Sequence, residues 1–128
     1  MPLRDVIRVM VVDDTSVSRA LIVQALEAMR VRNIEHARDG QSALRALVGR
    51  PAHLVLSDHN MPGMSGLDLL KALRTTPSTA KIGFILITGR PDRDLIAQGQ
   101  KLGMNNFIAK PFTVQSLRGC IEDVVGPI

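Results

Sequence analysis

Tryptophan and tyrosine are absent from this chain, and phenylalanine occurs only three times. Proteins that grip single-stranded nucleic acid stack its bases on aromatic rings, and no platform for that mode exists here. Cys120 is the only thiol. It excludes an internal disulfide and a thiolate metal cluster, and it reads as a small helix residue. Long hydrophobic runs are missing too: the longest uncharged apolar stretches, such as Val9–Val12 and Ala20–Val23, are four residues, against the roughly 20 that cross a bilayer. Met1-Pro2-Leu3-Arg4-Asp5 leads directly into a strand-like segment, without the basic-then-apolar order of a secretory signal. These absences predict no membrane insertion and a cytoplasmic location.

What remains is an ordinary globular composition, 45% hydrophobic and 22% charged over 128 residues, enough for one domain with a real core. The net charge is +4. The arginines are scattered from Arg4 to Arg118 rather than clustered, so a solvated basic surface is expected, not a nucleic-acid stripe.

Hydrophobic periodicity alternates between two patterns. Ile7–Val12, Ile34–Ala37, Leu54–Ser57, Gly83–Thr88 and Asn106–Ala109 read as five buried strands. Helical faces lie between and after them. Ser18, Leu21, Ile22, Ala25, Leu26 and Met29 share one stripe. Ala43, Leu44 and Leu47 suggest a short second helix; Gly66, Leu69, Leu70 and Leu73 a third; Asp94–Leu102 a fourth; Thr113–Val125 a fifth. Pro51, Pro62-Gly63, Pro77 and Gly103 punctuate the alternation. Gly99 within the fourth helix costs about 1 kcal/mol relative to alanine, and local mobility is expected there. Strands alternating with helices predict a doubly wound α/β domain, a (βα)5 unit with a five-stranded parallel sheet and helices on both faces.

In such sheets ligands bind at the carboxyl ends of the strands. Those ends carry Asp13-Asp14, Asp58-His59-Asn60, Thr88-Gly89-Arg90 and Lys110-Pro111. Taken singly, each has a plain explanation: Asp13 or Asp14 as a helix cap, Asp58 and Asn60 as turn formers, Thr88 as a strand end, Lys110 in solvent. Together they gather three carboxylates into one crevice. If the first and third strands are neighbours, about 4.8 Å separates their backbones, and like charges at that range raise one another's pKa unless a cation intervenes. All-oxygen ligation suits Mg²⁺ or Mn²⁺, and magnesium usually shares its shell with a phosphate. The Thr88 hydroxyl, the Gly89 N–H and the Lys110 ammonium suit phosphoryl oxygens. Asp58 is then the candidate nucleophile, able to form an aspartyl phosphate.

The set Asp13-Asp14, Asp58, Thr88 and Lys110-Pro111, with Met61-Pro62-Gly63-Met64-Ser65-Gly66 after the central acid, resembles the receiver domains of bacterial response regulators, in particular the single-domain chemotaxis type (CheY-like). The resemblance covers residues 1–128 as a single receiver domain with no output domain. It implies the flavodoxin-like strand order 2-1-3-4-5 and a phosphoryl group passed to Asp58 from a phosphohistidine of a CheA-type histidine kinase. It further implies that Asp14, Asp58 and the Asn60 backbone carbonyl ligate the metal while Asp13 acts mainly through water. Thr88 and Lys110 would hold phosphoryl oxygens, the Lys110–Pro111 bond would be cis, and Phe107 would take the place of the family's aromatic switch. A two-state shift of the face built by the fourth helix, fifth strand and fifth helix would carry the signal. The chain would catalyse only its own phosphorylation and dephosphorylation and act as a monomer, with the flagellar motor switch as a further partner.

Departures bear on output. Phe107 lacks the hydroxyl of the tyrosine typical of the chemotaxis type, which leaves ring packing alone. Asn60, Arg90 and His59 flank the path of attacking water and are candidates for tuning hydrolysis. The alternatives are a phosphate sink, a relay regulator outside chemotaxis, or a metal-dependent phosphatase with an aspartyl-phosphate intermediate. The phosphatase reading is weakened because haloacid-dehalogenase enzymes need a second acid where Asn60 stands. A DNA-binding regulator is disfavoured because no output segment follows Val125.

Overall fold

A computed structural model describes every residue from Met1 to Ile128. The chain order is α1 (Leu3–Val6), β1 (Arg8–Val12), α2 (Ser16–Ala28), β2 (Asn33–Ala37), α3 (Gly40–Gly49), β3 (Leu54–Asp58), α4 (Gly66–Thr75), a 3₁₀ turn (Pro77–Thr79), β4 (Gly83–Thr88), α5 (Arg93–Lys101), β5 (Asn106–Ala109) and α6 (Val114–Val125). All five strands join one sheet in the order β2-β1-β3-β4-β5, and every pairing is parallel. The doubly wound fold is as the sequence pattern predicts, and the strand order is the one the family resemblance implies.

Strand alternation builds two cores. Val9 and Val11 of β1, Leu54 and Leu56 of β3, and Ile85 and Ile87 of β4 face α2 and α6, where Ile22, Leu26, Leu117 and Ile121 close over them. Met10 and Val12, Val55, and Phe84 and Leu86 face the other way, under Leu47 of α3 and Leu69, Leu70 and Leu73 of α4. Each fully buried Leu, Ile or Phe side chain contributes about 1.5–3 kcal/mol. That places most of the stability around β1 and β3, whose ends carry the acids, and β4, which ends in Thr88.

Several expectations change. The N-terminus does not run straight into β1. Leu3–Val6 forms one helical turn, closed by Ile7 N–H donating to the Leu3 carbonyl (2.9 Å) and docked by Arg32 N–H on the Arg4 carbonyl (3.2 Å). One turn is too short to show a periodicity, and tertiary contacts hold it. β2 and β5 are edge strands with exposed or half-exposed residues rather than buried runs. The second helix spans all of Gly40–Gly49, started by the Asp39 carboxylate accepting from Ser42 N–H at 2.7 Å. The fourth begins at Arg93, capped by Asp92.

On α2, Ile22, Ala25, Leu26 and Met29 are buried, but Leu21 is 57% exposed and Ser18 turns toward the strand ends. Thr15 is the residue before α2 and makes no side-chain cap, so neither Asp13 nor Asp14 caps that helix.

Candidate functional site

Register sets the site. Val12 of β1 pairs with Ser57 of β3, so Asp13 and Asp58, each one residue further, stand level. Asp58 pairs with Ile87 of β4. Thr88 pairs with Ala109 of β5, one residue short of Lys110, and Lys110 N–H donates to the Thr88 carbonyl at 2.9 Å. Four strand ends thus meet in one crevice.

Asp13, Asp14 and Asp58 each bring a carboxylate oxygen within 4.8 Å of the others. Two unit charges at that separation repel by roughly 3 kcal/mol at an effective dielectric near 20, so the trio is costly without positive charge. Lys110 supplies some. Its Nζ lies 3.4 Å from Asp58 Oδ1 and 3.6 Å from Asp13 Oδ2. Burial pushes the Asp58 carboxyl above the ordinary carboxylate range and the charge of Asp13 adds to this; Lys110 and the backbone N–H of His59 oppose it without cancelling it.

The three acids differ in what they already hold. Asp13 is fully buried; its Oδ1 accepts from Thr15 N–H at 3.0 Å and its Oδ2 from the Ser18 hydroxyl. Asp58 Oδ1 accepts from His59 N–H at 2.9 Å, while no hydrogen-bond donor of the chain reaches Oδ2. Asp14 is exposed. The Asn60 carbonyl accepts no backbone hydrogen bond. The oxygens left for a cation are therefore those of Asp14, Asp58 Oδ2 and Asn60, with Asp13 one step removed.

Thr88 is 1% exposed, and its Oγ1 accepts from Arg90 N–H at 3.1 Å. Gly89 is exposed and its N–H donates to no backbone acceptor. Arg90 is exposed and forms no ion pair. Phe107 is half-buried against the α3/α4 core. The Lys110–Pro111 peptide is cis. His59 is half-buried, and its ring Nδ1 is sealed from solvent without a partner. Every residue singled out from the sequence lies at this end of the sheet or, for Phe107, on the adjoining strand.

The sequence reading missed one member. Helical spacing puts Ser18 on the apolar stripe of α2, yet its hydroxyl bridges Asp13 Oδ2 and the Lys110 ammonium, which donates to it at 2.9 Å. Its polarity within an otherwise apolar stripe is the signal that could have found it.

Beside Lys110 a groove of about 640 Å³ opens between α2 and the start of α6, walled by Val17, Leu21, Phe112 and Val114. Val17 and Leu21 are 69% and 57% exposed.

A parallel α/β domain with an acid trio, a buried threonine and a lysine at its strand ends defines the receiver class of phosphorelay proteins. Residues 9–122 match the response regulator receiver domain, and the chain belongs to that family. It is homologous to chemotaxis response regulators. It is 41% identical to the Rhizobium etli protein named Probable chemotaxis protein CheY, over 100% of this chain and 99% of that one. It is 34% identical to the chemotaxis protein CheY of Pseudomonas aeruginosa, over 91% and 94% respectively. Among solved structures it superposes on chemotaxis protein CheY4 of Vibrio cholerae with a TM-score of 0.86, at 25% identity and covering 92% and 98% of the two chains. A receiver domain of a Pseudomonas aeruginosa sensor histidine kinase, 22% identical, has the same fold (TM-score 0.85, 94% and 98% covered) and is described with magnesium in its active-site cleft. No helix here is long and apolar enough to cross a membrane.

Proposed function

We propose that Asp58 accepts a phosphoryl group from the phosphohistidine of a CheA-type histidine kinase and that the chain acts in the cytoplasm as a chemotaxis regulator. The observation that carries this reading is the Asp58 carboxylate, nearly buried, with Lys110 Nζ 3.4 Å away and two further acids alongside. An Asp58 oxygen attacks phosphorus; an O–P bond forms, the N–P bond breaks, and the departing imidazole nitrogen takes a proton from solvent. Gly89 N–H, the Thr88 hydroxyl and Lys110 receive the phosphoryl oxygens. Asp14, Asp58 Oδ2 and the Asn60 carbonyl would hold Mg²⁺ (or Mn²⁺), with Asp13 acting through water, and the ion when bound supplies the positive charge that three acids and a phosphoryl group require.

The apolar groove between α2 and α6 runs up to Lys110 and so offers the phosphohistidine-bearing domain an apolar surface beside the site. For signalling, Thr88 moves toward the new phosphoryl oxygens and breaks its bond with Arg90 N–H, and Phe107 repacks on the face of α5, β5 and α6. The chain acts as a monomer whose own phosphorylation and hydrolysis are its only chemistry. Asn60, Arg90 and His59 border the path of the water that later breaks the O–P bond and returns phosphate. Asn60 in place of a second acid speaks against a phosphatase acting on other substrates.

The test is labelling with radioactive acetyl phosphate and Mg²⁺. Wild type becomes labelled at Asp58, and Asp58→Asn does not; an unlabelled wild type overturns the reading. Binding of the activated form to a flagellar motor switch protein separates a motor regulator from a phosphate sink. Arg90→Ala and Asn60→Ala change the rate of label loss; unchanged rates make both mere rim residues.

A further inference from the structure

We propose that Ser18 is a positioning residue, which sets where the Lys110 ammonium stands relative to Asp58. The inference rests on the receiver reading of the site. A lysine stem has four flexible carbons and an ammonium with three donors, so something must fix its end. Of the side-chain oxygens around Nζ, only Ser18 Oγ is at normal hydrogen-bond distance, 2.9 Å; the Asp58 and Asp13 oxygens are at 3.4 and 3.6 Å.

Ser18 is itself held. It sits in the first turn of α2 and donates its own proton to Asp13 Oδ2, while Asp13 is fixed on its other oxygen by Thr15 N–H and at its carbonyl by Arg19 Nη1, 2.8 Å away. A relay therefore runs from the rigid start of α2 through Asp13 and Ser18 to Lys110. It draws one ammonium donor backward and leaves the other two for the space over Asp58. It also keeps the ammonium from closing onto the Asp58 carboxylate, where a tight pair would blunt the nucleophile and compete with the incoming phosphoryl group.

Ser18→Ala removes the relay while improving helix propensity, so the variant is expected to fold. Ser18→Thr keeps the hydroxyl. The first readout uses metal-free protein: the ¹⁵Nζ resonance of Lys110 shifts, and its ammonium protons exchange faster, in Ser18→Ala and return in Ser18→Thr. The second uses Mg²⁺ with beryllofluoride as the phosphoryl mimic. Affinity falls about tenfold in Ser18→Ala, as for one lost hydrogen bond to a charged group, the ¹⁹F signal of the fluorine beside Lys110 moves, and the rate of acetyl phosphate labelling falls by a similar factor. Ser18→Thr restores all three. An unchanged Lys110 resonance in Ser18→Ala overturns the proposal, and so does labelling within twofold of a wild type that is itself labelled. A wild type that takes no label sinks the receiver reading instead, and the metal-free spectra still decide whether Ser18 holds the lysine.

Discussion

Gly66 sits so close to the Asp58 carbonyl that a Cβ on it would lie 2.5 Å from that oxygen and 2.8 Å from Leu86 Cδ1. The first residue of α4 is thus pressed against the end of β3, and its N–H donates to the His59 carbonyl at 3.0 Å. The contact fixes the loop that carries Asn60 and the backbone N–H that supports Asp58.

Gly66→Ala cannot be absorbed by a flexible side chain, because the obstacle is backbone. Overpacking of this kind costs about 1–3 kcal/mol. The expected outcome is a lower urea midpoint together with slower labelling of Asp58, since the loop must move away from the acid. Stability and labelling rate both equal to wild type would mean that the loop is not held by this contact.

Asp58 also makes stability depend on pH. Its folded-state carboxyl titrates above the ordinary value, chiefly because of burial. A raised carboxyl contributes stability that is fully present below its unfolded value, about 3.9, and is lost as pH rises through the folded value. Asp58→Asn removes that loss. With a chelator present, the advantage of Asp58→Asn over wild type in urea unfolding grows between about pH 4 and pH 7. A gap that shrinks over this window would show that Lys110, not burial, governs the acid.

Most of this architecture is legible from residue order because β1, β3 and β4 are short, fully apolar runs ending in polar residues, and Pro and Gly break the chain between elements. The edges are less legible. β2 is marked as a strand at Ile34–Ala37, but with Asn33, Glu35 and His36 in it it lies on the sheet's edge beside β1 rather than buried, and that position no local pattern records. Ser18 shows a different limit: helical spacing places it on a face but does not say that the end of that face reaches past the core into the acid site. Gly99 is a third case. Read alone it suggests a loose helix, but it is the buried residue of α5, with the end of the Met104 side chain packed over it, a neighbourhood that only the folded chain contains.

Arg74 carries the largest side-chain hydrogen-bond set outside the site. Its guanidinium donates to the carbonyls of Ala80 (3.0 Å), Ile82 (2.7 Å) and Gly103 (2.9 and 3.2 Å) and to Asn105 Oδ1 (3.0 Å). It ties the end of α4 to the entries of β4 and β5, and burial pulls its pKa down. Arg74→Ala strands several acceptors and is expected to cost about 2–4 kcal/mol. Arg74→Lys recovers less than half, because an ammonium cannot span acceptors arranged for a planar fork. Thermal unfolding of both variants checks this, and a lysine variant as stable as wild type would show that charge matters here and fork geometry does not.

The unequal occupation of the three acids makes a prediction about metal. A ligand that binds only the folded state stabilises it by about 1.4 kcal/mol at ten times its Kd, which for a domain of this size raises the Tm by about 4–7 °C. Wild type should show that rise with Mg²⁺, and Asp58→Asn should lose nearly all of it. Asp14→Asn should lose most of it, since Asp14 is exposed and free to ligate. Asp13→Asn starts from a lower Tm, because Thr15 N–H, Ser18 and Lys110 all depend on its carboxylate, yet it should keep a larger Mg²⁺-dependent increment than Asp14→Asn. The reverse ranking would mean that Asp13 gives up its bonds to Thr15 and Ser18 when the ion arrives and becomes a direct ligand, which would also release Lys110 from the relay that Ser18 provides.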